Sequence, residues 1–216
     1  QLGNGGSDAD GNSEGTINVT SGGAVTFTGG VEDHAYAQLG HGGEDALGTH
    51  LNSNITVAAN GGNLEFRAGG GDRAGAHLGH GGTASSQISS GDIDVSASGD
   101  VILVSGSSGS GNNWSRAHIG HGGREADAAH SGNIHVDAGG SITLDSTNAV
   151  GSDSWTQIGH GGVNANANFT GDIVAIARGG GVNLNAGTAG QAYAQIGHGG
   201  QNADGSHSGK IVVLAE

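Results

Sequence analysis

The chain has 216 residues and a formal net charge of −14, from 20 acidic and 6 basic residues, with 48 glycines and no proline, cysteine or methionine. That balance excludes a nucleic-acid footprint, which needs a basic surface, would repel an anionic membrane, and leaves neither disulfides nor thiolate metal sites. No apolar run approaches the ~20 residues that span a bilayer, and glycine without a Gly-X-Y period or proline excludes collagen.

The first six residues, Gln1-Leu2-Gly3-Asn4-Gly5-Gly6, are a motif that returns with starts at 38, 77, 118, 157 and 195, ending in Gln195-Ile196-Gly197-His198-Gly199-Gly200. The later copies have His where the first has Asn4. A fixed period of about 39 residues defines a repeat architecture. The chain reads as one array over 1–216, with five full repeats starting at 1, 38, 77, 118 and 157 and a partial one at 195, and is expected to be a segment of a longer chain.

Between motifs, short alternating runs bounded by glycine predict pairs of strands. In chain order these are Ile17/Val19 with Val25/Phe27, Ile55/Val57 with Leu64/Phe66, Ile93/Val95 with Val101/Leu103, Ile134/Val136 with Ile142/Leu144, and Ile173 to Ala177 with Val182 to Ala186. The motif is itself strand-like: Ala192, Ala194 and Ile196 point one way, Tyr193 and Gln195 the other. A weaker strand follows it, seen in Ala84/Ser86/Ile88 and Ala165/Ala167/Phe169. No stretch shows sustained helical periodicity. The fold class is therefore all-β, a parallel β-helix (β-solenoid) with inward Ile, Val, Leu and Ala. The intervals from Ile173 to Ala192 and from Ala192 to Ile211 are both 19 residues, which favours two coils per repeat over one wide coil. Ser105 to Asn113 and Thr147 to Ser154 are expected to absorb length differences in loops.

Four sets of residues are candidates for chemistry. His41, His80, His121, His160 and His198 form a column that is read as a structural ladder bonding backbone groups at the Gly-Gly turn; metal binding and pH sensing are its rivals. Two coils per repeat would separate successive imidazoles by roughly 9.6 Å, too far to share one zinc, whereas one coil would bring them to about 4.8 Å. Gln1, Gln38, Gln157 and Gln195 share an outward column with His77 and His118, read as an amide ladder. Tyr36, Trp155 and Tyr193 form a second outward column, with Gly75 and Arg116 in the remaining copies; they are candidate glycan contacts, against a reading in which they only shield the wall. Asp8, Asp10, Asp72, Asp92, Asp100, Asp127 and Asp172 lie at turns and are read as Asx turn formers, because the calcium-binding nonapeptide series is absent.

An enzyme is not expected. Carboxylates are not clustered with basic groups, and Arg67, Arg73, Arg116, Arg124, Arg178 and Lys210 are scattered along the chain. No cofactor and no catalytic residue is assigned, and no outward threonine row suits ice.

The runs Gly-Asp-Ile-Asp-Val-Ser-Ala-Ser-Gly-Asp-Val-Ile-Leu (91 to 103) and Gly-Asn-Ile-His-Val-Asp-Ala-Gly-Gly-Ser-Ile-Thr-Leu (132 to 144) resemble the repeats of filamentous-haemagglutinin-like adhesins. The resemblance covers the whole chain as a pattern and implies a right-handed β-helical shaft, two-partner secretion from a Gram-negative bacterium, and a secreted or cell-surface location. The expected function is the structural shaft of an adhesin or extracellular filament supporting attachment and biofilm. The alternative is a glycan- or cation-binding solenoid module. Expected partners are further repeats of the same or like chains stacked at the ends, and extracellular polysaccharide, with no nucleic acid and no membrane insertion.

Overall fold

The structure, a computed structural model, describes residues 1–106, 114–149 and 154–216. Of the expected length-absorbing loops, most of 105–113 and half of 147–154 therefore lie outside the described residues. The described residues form four parallel sheets of six, five, five and five strands and no helix. One coil runs through all four sheets. In the coil around the third motif these strands are Ala76–Leu78, Ser86–Ser90, Ile93–Ala97 and Val101–Val104.

Coil stacks on coil in strict register. Ile17, Ile55, Ile93, Ile134, Ile173 and Ile211 form one column, each paired with the next. These steps equal the repeat length, so each repeat is one wide coil, and the two-coil expectation is corrected. The 19-residue recurrence is real but describes two opposite sides of one turn. Ile173–Ala177 pairs with Ile134–Ala138 and Ile211–Ala215, whereas Ala194–Ile196 pairs with Thr156–Ile158. Like residues stack on like only at the full period, and that match decides the pairing. Five turns at ~4.8 Å each give a stack of only about 24 Å.

The alternation that predicted the strands also builds the core. Ile55, Val57 and Ala59 meet Leu64, Phe66, Ala76 and Leu78 in one continuous apolar cluster. Aromatic rings do enter it: Phe27 and Phe66 stack with centroids 5.1 Å apart and 2° between planes. Each fully buried Ile or Leu contributes about 1.5–3 kcal/mol, against about 1 kcal/mol for a typical hydrogen bond. Burial thus supplies most of the stability. Register is set by the same pattern, since a one-residue slip would turn every inward side chain outward.

The weak strand after the motif exists, but its inward set differs from Ser86 and Ile88. Gln87 and Ser89 are buried, while Ile88 is 48% exposed. Here the column His50, Ser89, His130, Phe169, His207 runs from coil to coil.

Candidate functional site: the histidine and glutamine columns

The motif strand is buried on both faces: Ala117, His118 and Ile119 are all inaccessible. The chain after it makes a Gly-His-Gly-Gly turn that folds back over its outer face. This turn continues the coil-to-coil backbone ladder, with Gly81 N–H donating to His41 C=O at 2.9 Å and Gly122 N–H to His80 C=O at 2.8 Å. The two glycines after the histidine lie against side chains. A Cβ on Gly122 would strike His130, and one on Gly162 would lie 2.8 Å from Trp155.

Both ring nitrogens of the column histidines are engaged. His41 N–H donates to His80 Nδ1 at 2.9 Å, His80 N–H to His121 Nδ1 at 3.1 Å, His121 N–H to His160 Nδ1 at 3.0 Å, and His160 N–H to His198 Nδ1 at 3.1 Å. Asn4 N–H begins the series on His41 Nδ1 at 3.0 Å. A backbone N–H can only donate, so Nδ1 is an acceptor and the proton sits on Nε2. That proton goes to a carbonyl 26 to 30 residues away: Gly15, Ser53, Gly91, Gly132 and Gly171 in turn. The rings stack at 4.8–5.0 Å with planes within 15°.

This geometry requires neutral imidazole. A proton on Nδ1 would face an N–H. Burial holds His80 down to about 3, and burial followed by the neighbouring imidazoles holds His121 and His160 well below the ordinary value. One coil per repeat brings the rings to metal-ladder spacing, but the column leaves no nitrogen for a cation. Among the described residues no group of three or more His, Asp or Glu is placed to hold a metal ion. Melting curves with EDTA and with added zinc or calcium are expected to coincide with the untreated curve; a drop restored by one metal would refute this assignment.

The glutamines are ladder residues, though not as outward stacked amides. Gln38 and Gln157 are buried, and each amide donates to two turn carbonyls of the next coil: Gln38 Nε2 to Gly79 O at 3.1 Å and Gly81 O at 2.7 Å, Gln157 Nε2 to Gly197 O at 2.9 Å and Gly199 O at 2.8 Å. Gln1 does the same to Gly40 and Gly42, whereas Gln195 in the last coil reaches His198 O. His77 and His118 take this place with a single bond each, from Nε2 to Gly120 O and Gly159 O, and their buried Nδ1 atoms have no partner. His118→Gln should regain the second bond and remove the orphaned nitrogen, raising stability by about 1 kcal/mol in a denaturant titration. Unchanged or lower stability would mean that the 4.9 Å stack of His77 on His118 matters more.

The aromatic column is corrected more sharply. Trp155 is fully buried, stacked on Tyr193 at 5.4 Å and meeting the edge of His118 at 5.3 Å. Tyr36 and Tyr193 are half-buried, and Tyr193 Oη donates to Gln157 Oε1 at 3.1 Å. These side chains do point away from the core, as alternation requires, but the folded-back turn covers them. A fully buried indole cannot contact a glycan, so Trp155 packs the wall, while Tyr36 and Tyr193 keep part of their surface exposed.

Five of the turn aspartates, Asp72, Asp92, Asp100, Asp127 and Asp172, accept from the next coil rather than locally. Asn54 Oδ1 accepts from Asp92 N–H, Asp92 Oδ1 from Asn133 N–H, Asn133 Oδ1 from Asp172 N–H, and Asp172 Oδ1 from Lys210 N–H, at 2.8–2.9 Å. Asn and Asp alternate along this column, which keeps carboxylates two coils, about 9.6 Å, apart and near the screening length of physiological salt.

Two features escaped sequence reasoning. The column His50, Ser89, His130, Phe169, His207 changes residue type at almost every level, so no recurrence marked it. The basic residues, scattered in sequence, include three that gather at the third and fourth motifs: Arg73 and Arg124 lie over the Trp114 ring at 4.7 and 3.6 Å, and Arg116 is buried beside Trp155. The fold and columns define a β-solenoid repeat protein. Comparison of the chain with protein-family models, curated protein sequences and solved structures gives no match.

Proposed function

We propose that this chain is a structural shaft, a rigid segment of a bacterial surface adhesin or extracellular filament. The observation that carries the reading is that its most conspicuous polar columns, the imidazoles, amides and Asx side chains, form bonds between successive coils. Such a stack resists bending and leaves little unpaired backbone for proteases. Leu184, Ile211 and Val213 lie 44–49% exposed at the last coil, an apolar face that a further coil of the same kind would cover. Attachment and biofilm support rest on the resemblance of the repeats at 91 to 103 and 132 to 144 to secreted adhesins.

Single-molecule pulling tests the mechanical role. Coil-by-coil rupture is expected, each event releasing one repeat of ~39 residues and so about 130–140 Å of chain. One low-force transition that frees the whole chain at once would contradict it. Antibody labelling of intact producing cells tests the location, and labelling only after lysis would remove the surface reading.

A further inference from the structure

The Asx ladders use the side-chain oxygen of each asparagine and leave its nitrogen over. Asn54 Oδ1 accepts from Asp92 N–H at 2.9 Å, and Asn168 Oδ1 accepts from Ser206 N–H at 2.9 Å. A backbone N–H can only donate, so it is the amide oxygen that faces the neighbouring coil. Neither Nδ2 has a hydrogen-bond partner among the described residues, and both asparagines are exposed. Each amide is therefore anchored by its oxygen while its NH2 group stands in solvent.

Both asparagines open an Asn-x-Thr triplet, Asn54-Ile55-Thr56 and Asn168-Phe169-Thr170, and each immediately precedes a strand, Ile55–Ala59 and Phe169–Thr170. The middle residues Ile55 and Phe169 are fully buried. Period-two alternation then turns the asparagine and the threonine to the same outer side, and Thr56 and Thr170 are indeed exposed. The ladders also contain exposed asparagines without that hydroxyl. Asn133 stands two coils from Asn54 in one column, with His135 two residues on, and Asn166 has Asn168 two residues on. Their Oδ1 atoms accept from Asp172 N–H and Asp204 N–H at 2.9 and 3.1 Å. A third triplet, Asn18-Val19-Thr20, lies inside the strand Ile17–Ser21, and no ladder bond holds its amide among the described residues. The one that opens at Asn113 starts outside the described residues.

The geometry points to Asn54 and Asn168 as N-glycosylation sites, each accepting a hexose from a nucleoside-diphosphate sugar through a separate glycosyltransferase. In the transfer the sugar C1–O bond to the diphosphate breaks, a C1–Nδ2 bond forms, and one Nδ2 proton leaves with the nucleoside diphosphate. The product is still an amide, so Oδ1 goes on accepting from the next coil and the sugar projects from the rod with no ladder bond lost. Asn133 and Asn166 share the anchoring but lack the hydroxyl that completes the acceptor triplet. These sites rest on the extracellular reading above, because such triplets are acceptors on exposed segments of secreted chains.

The test is peptide mass spectrometry of the chain purified from its producing cells, with fragmentation that leaves sugars attached, beside antibody labelling of the same cells while intact. Hexose is expected on Asn54 and Asn168 and absent from Asn133 and Asn166. Thr56→Ala and Thr170→Ala should each abolish the sugar at their own site and spare the other, with melting curves unchanged, since both threonines are exposed. Thr56→Ser keeps the hydroxyl and should keep the sugar. A bare asparagine at either site on a chain that labels at the cell surface would overturn the assignment and leave the surface reading standing. Sugar on Asn133, or sugar on Asn54 that survives Thr56→Ala, would overturn it as well. A chain that labels only after lysis and carries no sugar would remove both readings, whereas one that labels only after lysis yet carries the sugar would remove the surface reading alone.

Discussion

Gly79→Ala is expected to abolish the cooperative fold of the central coils, a loss above about 4 kcal/mol and so among the most severe single-residue effects. Gly79 is the glycine before the motif histidine and holds a φ of +150°, a region L side chains rarely adopt. Its Cβ would lie inside the contact radius of the Gly120 carbonyl oxygen, 2.5 Å from the carbonyl carbon, and 2.9 Å from His77 Nε2. The obstacle is the backbone of the next coil, which cannot move without breaking the Gly79–Leu39 and Gly120–Leu78 ladder bonds. Gly40, Gly120 and Gly159 meet the same obstacle at their own levels. Gly22→Ala, where nothing lies within 4 Å, is the control and should change stability by less than about 0.5 kcal/mol. Circular dichroism melts of the two variants decide the matter; a folded, cooperative Gly79→Ala chain would mean that the coils are not packed in this way.

The second large effect is a steep collapse in mild acid. His80, His118 and His130 are held down to about 3 by burial, and His77, His121 and His160 are also well below the ordinary value. In the unfolded chain each returns to about 6.5. The folded-state value is the depressed one, so the unfolded state binds more protons in the interval between. Stability is therefore full above pH ~6.5 and falls as pH drops toward the folded values. Each such group withdraws about 1.4 kcal/mol per pH unit, and six withdraw about 8 kcal/mol per unit. A domain of ordinary stability, about 5–15 kcal/mol, is exhausted within one or two units. Unfolding is expected between about pH 4.5 and 5.5, with uptake of several protons at the midpoint. The checks are ellipticity against pH and the ring-proton resonances of His80, His121 and His160, which should not titrate before the fold is lost. A chain still folded at pH 4, with those resonances titrating near 6.5, would show that the rings are not neutral ladder members.

Much of this architecture is written in the residues because it is periodic. The inward columns Ile17 to Ile211 and Val25 to Val182 are legible, since each inward position repeats one chemical type at a fixed interval. Coil size was harder to read. Two sides of one turn carry similar alternating strands, and alternation alone cannot tell a half-turn from a full one. The imidazole tautomer was not legible either, because the carbonyls that fix it, such as Ser53 for His80 and Gly132 for His160, lie 27 and 28 residues away on another side of the coil. Trp155 shows the same limit. Alternation places it outside its strand, but only the path of the following turn decides that outside is not solvent.

The imidazole and glutamine ladder bonds run in one sense along the stack, whereas the backbone bonds run in both, Leu2 N–H donating to Gln38 O one way and Gly79 N–H to Leu39 O the other. A coil presents backbone N–H and amide donors of the His41 and Gln38 kind to one neighbour, and ring acceptors of the His80 kind to the other. The two ends of any such stack are therefore chemically unlike. A twofold axis placed across an end would set like groups of the imidazole and amide columns against each other, so an isologous end-to-end dimer would forfeit these side-chain ladders. Head-to-tail association keeps those ladders continuous, and a heterologous contact that does not close into a ring propagates as a polar fibre.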